Sequence, residues 1–307
     1  MLRYALKRVV GAIPTLFLVV ALAFLMVRAA PGGPFDSERV LPPEVAANIQ
    51  RAYHLDESLP QQFLRYLSGV LHGDLGPSFR YSDYSVGELI RASFPLSARL
   101  GILALLLALI VGIAAGLVGA IRRDTFTDRV VSAVAMTGVS VPVIVIAPVL
   151  VLVFAVQLGW VPAGWSGGRD VARWILPVIA LALPQIAFIA RITRSSMIDV
   201  LESEFIRTAR AQGLQTATII RHHAMKPALL PLLSYLGPAV VGLITGAIVV
   251  EKIFGIPGLG YLFVQGAQNR DFTLILGLVI LYGTLIVVFN LAVDLLYGVL
   301  DPRIRRR

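Results

Sequence analysis

The sequence predicts an all-α polytopic membrane protein with six transmembrane helices. Of its 307 residues, 57% are hydrophobic and only 15% are charged, whereas soluble domains carry roughly 45–50% apolar and about 25% charged residues. Six apolar runs are each long enough to cross about 30 Å of hydrocarbon as a helix of about 20 residues. The runs are continuous and do not alternate as barrel strands would, which favours helices. They cover 9–27, 100–121, 130–158, 174–192, 229–250 and 273–296.

The distribution of basic residues predicts that the N- and C-termini are both cytoplasmic. Short loops rich in Lys and Arg remain on the cytoplasmic side, and in this orientation most of the 27 basic residues fall there. They lie within 3–8, 122–129, 191–226 and 303–307. Because these clusters flank the spans, the net charge of +9 indicates contact with membrane lipid and no nucleic acid. The absence of cysteine excludes disulfides and thiolate sites.

Residues 1–28 are expected to form an N-terminal anchor and the first transmembrane helix. Arg3, Lys7 and Arg8 precede the apolar run, as basic residues do in a secretory signal peptide. The run of about 19 residues nevertheless exceeds the usual length, and Arg28 stands where small residues would precede a cleavage site. We therefore interpret this segment as a retained helix.

Residues 29–95 are expected to form a periplasmic loop with short helices. Pro42-Pro43 can open one helix, and the spacing of apolar residues predicts a second over 59–71. His54 and His72 lack the spacing of metal ligands, so no metal site is predicted. The loop also contains no set of residues suited to catalysis, so no catalytic residue is predicted in it.

Residues 96–307 are expected to form a five-helix core. Its third and fifth spans contain prolines and small polar residues, which kink helices and permit close helix contact. Broken polar helices also suit a water-filled path through the membrane. Ordinary helix packing remains the alternative for each residue taken singly. The candidate residues of a translocation pathway are Thr137, Ser140, Tyr235, Thr245 and Gly246.

Two further features of the core have structural interpretations. EKIFGIPGLGY, residues 251–261, follows the fifth span, and its glycines and proline favour a turn. It is not predicted to bind phosphate, because no Gly-Lys-Ser/Thr follows and the segment lies outside the cell. In the last span Asn290, Asp294 and Tyr297 share one helical face. A structural hydrogen-bonding role is expected for Asp294.

One polar, basic stretch, residues 193–227, lies between strongly apolar ones. It is predicted to be a cytoplasmic loop, because each charge at bilayer depth costs at least a few kcal/mol. Gly213 can end a short first helix in the left-handed conformation, and Thr216 can cap a second helix. Such helices suit a docking surface for a soluble partner, with an amphipathic loop lying on lipid headgroups as the alternative. The residues that can share an apolar side of the first helix are Val200, Phe205, Ile206 and Ala209.

Several segments resemble one family, in the same order along the chain. FIRTARAQGL followed by IIRHHAMKPALLP is similar to the cytoplasmic coupling loop of permease subunits of bacterial ABC importers, in the oligopeptide and dipeptide branch. HGDLGPSFRYSDYSV, EKIFGIPGLG and the final DPR resemble the same branch, in particular the B-type subunits of oligopeptide permeases. The family pattern of Glu-Ala-Ala, three residues and Gly is represented by Arg207-Thr208-Ala209 and Gly213. Pro227 falls one residue later than in that pattern.

The resemblance implies a type I ABC importer permease (MetI-like) fold in a bacterial cytoplasmic (inner) membrane, with 96–307 as the permease core. It implies import of peptides, with oligopeptides favoured, by a transport subunit that is not itself an enzyme. The implied partners are a second homologous permease subunit in a heterodimer, two ATP-binding cassette subunits and an extracytoplasmic peptide-binding protein. ATP and Mg would be used by the cassette subunits, and this chain is expected to bind no cofactor. The residues implied to couple to the ATPase are Glu204, Arg207, Thr208, Ala209, Arg210, Gly213 and Pro227.

Other functions stay open at this point. Dipeptide, nickel, glutathione and murein-peptide permeases share much of the resemblance. An ion-coupled secondary transporter would need ionisable residues near the membrane midplane, and the spans contain few apart from Asp294. An intramembrane enzyme would need paired catalytic groups, and none of the four histidines lies in a span.

Overall fold

The computed structural model describes residues 2–29, 56–81, 83–167 and 170–300, and the regular elements in these ranges are all helices. The helix predicted over 59–71 is confirmed, whereas the one expected after Pro42-Pro43 lies outside the described residues. The helices are α1 (Leu2–Ala29), α2 (Leu59–Leu71), α3 (Val86–Ile121), α4 (Phe126–Ser140), α5 (Val143–Gln157, π-helical over Val151–Gln157), α6 (Ala172–Leu201), α7 (Glu204–Ala211), α8 (Thr216–Phe254, π-helical over Ile219–Ala224), α9 (Leu259–Gln268) and α10 (Phe272–Leu300).

The apolar runs correspond to the long helices of the bundle. In the described part of the chain, α1, α3, α6, α8 and α10 each contain a segment long and apolar enough to cross a membrane. The pair α4 and α5 makes a sixth span when it is taken as one crossing. The predicted class, an all-α membrane protein with six spans, is confirmed.

The third span, predicted over 130–158, contains prolines that were expected to kink it, and the structure shows a sharp break there. It is broken between α4 and α5, whose axes meet at 107°. Val141 has the extended values φ −91° and ψ 120°, which a residue before proline prefers because the proline ring clashes with a helical predecessor. Pro142 then opens α5 as its N-cap residue. The break is therefore encoded by the Val141-Pro142 pair.

Helices α3 and α6 pack closely against each other. A Cβ atom added to Gly116 would lie 2.5 Å from the carbonyl oxygen of Ala190, and one added to Gly112 would lie 2.7 Å from Cγ2 of Ile189. Ala108 on the same stripe of α3 is fully buried. Small residues spaced four apart let two helix backbones approach in a membrane, where there is no hydrophobic force to drive helices together.

Two of the helices that extend beyond the predicted spans change the expected boundaries. α3 begins at Val86 and so crosses the predicted domain boundary at 95, because Ser85 and Glu88 form a reciprocal capping box. With 36 residues it is about 54 Å long, so its N-terminal part rises out of the bilayer. α8 likewise starts at Thr216, so the second helix predicted for the polar loop is continuous with the fifth span.

Candidate functional site

The short helix α7 lies on an apolar seat made by the ends of three long helices. Of its eight residues only Ile206 and Ala209 are buried, and Ile206 is fully buried. The residues of the cluster around them come from α3, α6 and α8, and all are buried: Ala120, Met197, Ile219, Ala224 and Ala228. Phe205 was expected on the apolar side, but it is 50% exposed, because helical geometry turns it about 100° away from Ile206.

The end of α7 is set by Gly213, as the sequence predicts. Gly213 has φ +80°, its N–H donates to the carbonyl oxygen of Arg210 at 2.9 Å, and the N–H of Leu214 donates to Ala209 at 3.2 Å. These two bonds form a Schellman motif, which favours glycine at the left-handed position. The prediction that Thr216 caps the next helix is wrong, because Gln215 is the N-cap residue and Thr216 is the first helical residue.

The outward face of α7 is polar and exposed. Glu204, Arg207, Thr208 and Arg210 all lie on it, and Nη1 of Arg207 donates to Oε1 of Glu204 at 2.8 Å. This ion pair is exposed at both ends and adds little to stability, so both side chains are available to a partner. Among the predicted coupling residues, Ala209 faces the seat, and Pro227 lies partly buried in the helix that follows.

Pro227 lies three residues after the end of the π-helical stretch of α8. Proline cannot donate to the carbonyl four residues earlier, and Ile219–Ala224 has the wider π-helical turn. Breaks of this kind in a helix have identifiable local causes. The arrangement places Arg221, His222 and His223 on the exposed side, while Ile219 and Ala224 face the seat.

A buried ion pair ties the neighbouring helices together beside the seat. Arg194 of α6 donates from Nε and Nη2 to the two carboxylate oxygens of Asp128 in α4, at 2.6 and 2.7 Å. The Asp128 side chain is only 5% exposed and also accepts the backbone N–H of Asp124 at 3.0 Å. Sequence reasoning missed this pair, because its members are 66 positions apart.

The predicted pathway residues are not all placed together. The hydroxyl of Tyr235 in α8 donates to Oε1 of Gln185 in α6 at 2.8 Å, and its ring lies 5.7 Å from that of Phe188. Thr137 and Ser140 instead donate to carbonyl oxygens of their own helix, at 3.0 and 2.9 Å. The side chains of Thr245, Gly246 and Asp294 lie outside the described residues.

Two buried carboxylates that the sequence analysis did not single out organise the opposite end of the bundle. Glu251 is fully buried and accepts from Oγ of Ser97 at 2.6 Å and from the N–H of Gly260 at 2.7 Å, at the start of α9. Asp271 is also fully buried and accepts from Oγ of Ser78 and from the N–H of Phe79 at 3.2 Å. Hydrogen bonding is what makes such buried charges tolerable. Within the described ranges there is no group of His, Asp and Glu able to hold a metal ion.

Comparison with family models gives two matches that cover nearly the whole chain. Residues 108–306 match the model of the binding-protein-dependent transport system inner membrane component. Residues 1–100 match the model of the N-terminal part of a binding-protein-dependent transport system membrane component.

Similar proteins match over the full length. The oligopeptide transport system permease protein OppB of Salmonella typhimurium is 56% identical over 99% of this chain and 100% of its own. OppB of Escherichia coli K12 is 55% identical with the same coverage. The dipeptide transport system permease protein DppB of Bacillus subtilis is 39% identical, over 99% of this chain and 98% of its own.

Solved structures share the fold at low sequence identity. The MetNI methionine ABC transporter, in an inward-facing conformation, superposes with a TM-score of 0.57 at 17% identity, over 69% of this chain and 96% of the other. An amino acid ABC transporter crystallised with histidines gives a TM-score of 0.52 at 20% identity, over 69% of this chain and 94% of the other. The helical arrangement is therefore that of ABC transporter membrane subunits.

Proposed function

The chain belongs to the family of binding-protein-dependent transport system inner membrane components, and from this premise we propose that it is the permease subunit of an ATP-driven importer of oligopeptides. It is a multi-pass inner-membrane protein and a transport subunit, not an enzyme. Peptide transport is supported by the full-length relatives, and oligopeptides are favoured over dipeptides because identity is higher to the oligopeptide permeases.

An ABC importer of this family works with ATPase and binding-protein partners. In finer detail, we propose that this chain pairs with a second, homologous permease subunit, because six spans supply half of a pore. Two ATP-binding cassette subunits would bind ATP and Mg, and this chain would bind neither. A peptide-binding protein would dock on the opposite side of the membrane and deliver the substrate.

The coupling proposal is carried by one observation, namely that α7 has an exposed polar face and an apolar seat. The seat is built from α3, α6 and α8 together, so a force on α7 is transmitted to three helices at once. Packed interiors have low compressibility and transmit strain. ATP-driven movement of the cassette subunits would thus move α7 with these helices and change which side of the membrane the pathway faces.

Charge reversal on the exposed face of α7 tests this coupling. Arg207→Glu should reduce co-purification of the ATPase subunits and peptide uptake while leaving membrane insertion intact, because a surface ion pair contributes about 0–1 kcal/mol to stability. Arg91→Glu is the matched control, since Arg91 is exposed on the opposite side of the membrane in the proposed topology. Normal uptake and normal ATPase recovery with Arg207→Glu would refute the coupling role of this face.

The substrate is tested separately in cells that lack other peptide permeases. Uptake of a labelled pentapeptide should depend on this chain and should resist competition by nickel, glutathione or a dipeptide. Competition by one of these would assign the chain to that related substrate instead. Uptake that persists when the cassette subunits are inactivated, and that collapses with the ion gradient, would favour an ion-coupled transporter.

A further inference from the structure

A cavity of about 250 Å³ lies where α1 ends, beneath α2 and beside the start of α10. Its walls differ in chemistry from one side to the other. Phe24, Phe272 and Leu276 form an apolar wall, whereas Arg28 and Arg65 bring two guanidinium groups to the lining. The remaining lining residues include Tyr66 and a single carboxylate, Asp74.

The packing of α2 on α1 places this cavity at the boundary of the hydrocarbon. The ring of Phe63 in α2 lies 5.9 Å from that of Phe17 and 5.3 Å from that of Phe24. At 1.5 Å per residue, Phe24 is about 6 Å and Phe17 about 17 Å along the axis of α1 from Arg28. One face of α2 is therefore level with the outer part of the first span.

The neighbouring surface of α1 is apolar and exposed, as a lipid-facing surface would be. Leu18, Leu22, Leu25 and Met26 are each between 50% and 73% exposed, on a helix whose apolar segment passes as a membrane span. The cavity thus borders acyl chains on one side and the aqueous boundary at Arg28 on the other. Among the described residues, Tyr235 and Gln185 of the predicted pathway do not line this cavity.

Arg28 makes no ion pair within the described part of the chain, although Asp74 lines the same cavity. It is partly buried, and it lies 5.7 Å over the ring of Phe24. Arg65, in contrast, donates to Glu57 at 3.2 and 2.5 Å. A partly desolvated guanidinium gains most from an anion that accepts two of its hydrogen bonds, as a phosphate does.

A second polar group at the cavity also lacks a partner. The hydroxyl oxygen of Tyr66 is buried and has no hydrogen-bond partner among the described residues. Burial raises the pKa of Tyr66 further above neutral, and the protonated hydroxyl can donate a hydrogen bond. Buried polar atoms without partners are uncommon in native structures and call for a ligand or water.

We propose that this cavity binds a phospholipid of the outer leaflet, with the headgroup phosphate at Arg28 and Arg65 and an acyl chain along Phe24 and Leu276. Arginine binds phosphate through two parallel hydrogen bonds, and on the cytoplasmic side of membranes basic pockets between spans bind lipid headgroups by the same chemistry. The lipid would fill the gap between α1 and α2 and so hold the periplasmic helix on the membrane. This proposal does not depend on the identity of the transported substrate.

Native mass spectrometry of the complete transporter, released from nanodiscs of phosphatidylethanolamine and phosphatidylglycerol, tests the proposal. The wild-type complex should retain one more phospholipid than the Arg28→Gln variant, and Arg28→Lys, which keeps the charge but not the two-hydrogen-bond geometry, should restore retention only in part. Loss of a charge-assisted pair predicts at least about a tenfold weaker affinity for that lipid. Arg91→Gln, which removes an exposed charge from the same side of the membrane, should retain lipid like the wild type.

Two results would overturn the assignment. Equal phospholipid retention by the wild type and Arg28→Gln would exclude a lipid site at this arginine. Retention of only the mass of orthophosphate, after incubation with inorganic phosphate, would replace the lipid by a free anion. Glu57→Gln distinguishes a direct role of Arg65 from a structural role of its ion pair with Glu57. Because the change removes the charge that pairs with Arg65, lipid retention should be kept or increased. Lipid loss in this variant would show that retention depends only on the fold of α2.

Discussion

Truncation of Ile206 should detach α7 from its seat while leaving the bundle intact. Ile206 is fully buried, and α7 contributes only one other buried residue, Ala209. Removing the side chain beyond Cβ in Ile206→Ala costs about 2–5 kcal/mol at a buried site. This loss destabilises the docking of an eight-residue helix. The equilibrium constant for its local opening should therefore rise at least about 30-fold, since 1.4 kcal/mol corresponds to a factor of ten.

Hydrogen exchange measures this opening directly. In the purified transporter without nucleotide, the backbone amides of Arg207 and of Gln212, which donate to Ser203 and Thr208, should exchange faster in Ile206→Ala than in the wild type. Peptide-stimulated ATP hydrolysis should fall in parallel. Amides in the middle of α6 should be unchanged, because the bundle keeps its packing.

Phe205→Ala is the matched control. It removes a larger side chain from the preceding position of the same helix, where the residue is 50% exposed. Exchange in this variant should equal that of the wild type. If Ile206→Ala and Phe205→Ala gave the same exchange rates, the apolar seat would not be what holds α7, and the mechanical argument for coupling would fail.

Other predictions concern stability, packing and topology. Arg194→Met should lower the free energy of unfolding of the detergent-solubilised protein, by up to about 3–5 kcal/mol, because the buried carboxylate of Asp128 would lose its charged partner. A second change, Asp128→Leu, should recover much of that loss. Glu251→Ala should make the start of α9 more sensitive to protease, since each lost hydrogen bond to a buried N–H costs about 1–3 kcal/mol. Gly116→Leu should sharply reduce accumulation of the protein in the membrane, because the added Cβ would lie 2.5 Å from a backbone oxygen. A reporter fused after Arg307 should register as cytoplasmic.

Control variants and contradicting outcomes test these predictions. Gly101→Leu alters the same helix where no atom lies within 4 Å of the added Cβ, so it should leave accumulation unchanged. Equal loss in Gly101→Leu and Gly116→Leu would contradict the close-packing argument. If the losses of unfolding free energy in Arg194→Met and Asp128→Leu simply added in the double variant, the two side chains would not interact. A reporter that registered as extracytoplasmic would overturn the topology.

Local features of the structure were readable in the sequence. The apolar runs, α2 and the left-handed end of α7 at Gly213 depend on residues close to one another along the chain, and the structure confirms them. The resemblance to ABC importer permeases rested on contiguous motifs for the same reason, and the family models and full-length relatives confirm it.

Only the tertiary structure decided which distant groups meet. Burial of Ile206 rather than Phe205, and the pairing of Arg194 with Asp128, depend on which helix ends lie side by side. The sequence placed Glu251 only in the turn segment that follows the fifth span, whereas in the fold its carboxylate accepts a backbone N–H at the start of α9. Local energies set helix propensity and turns, whereas the partner of a buried charge is fixed by the path of the whole chain, and that path is not encoded in any single stretch.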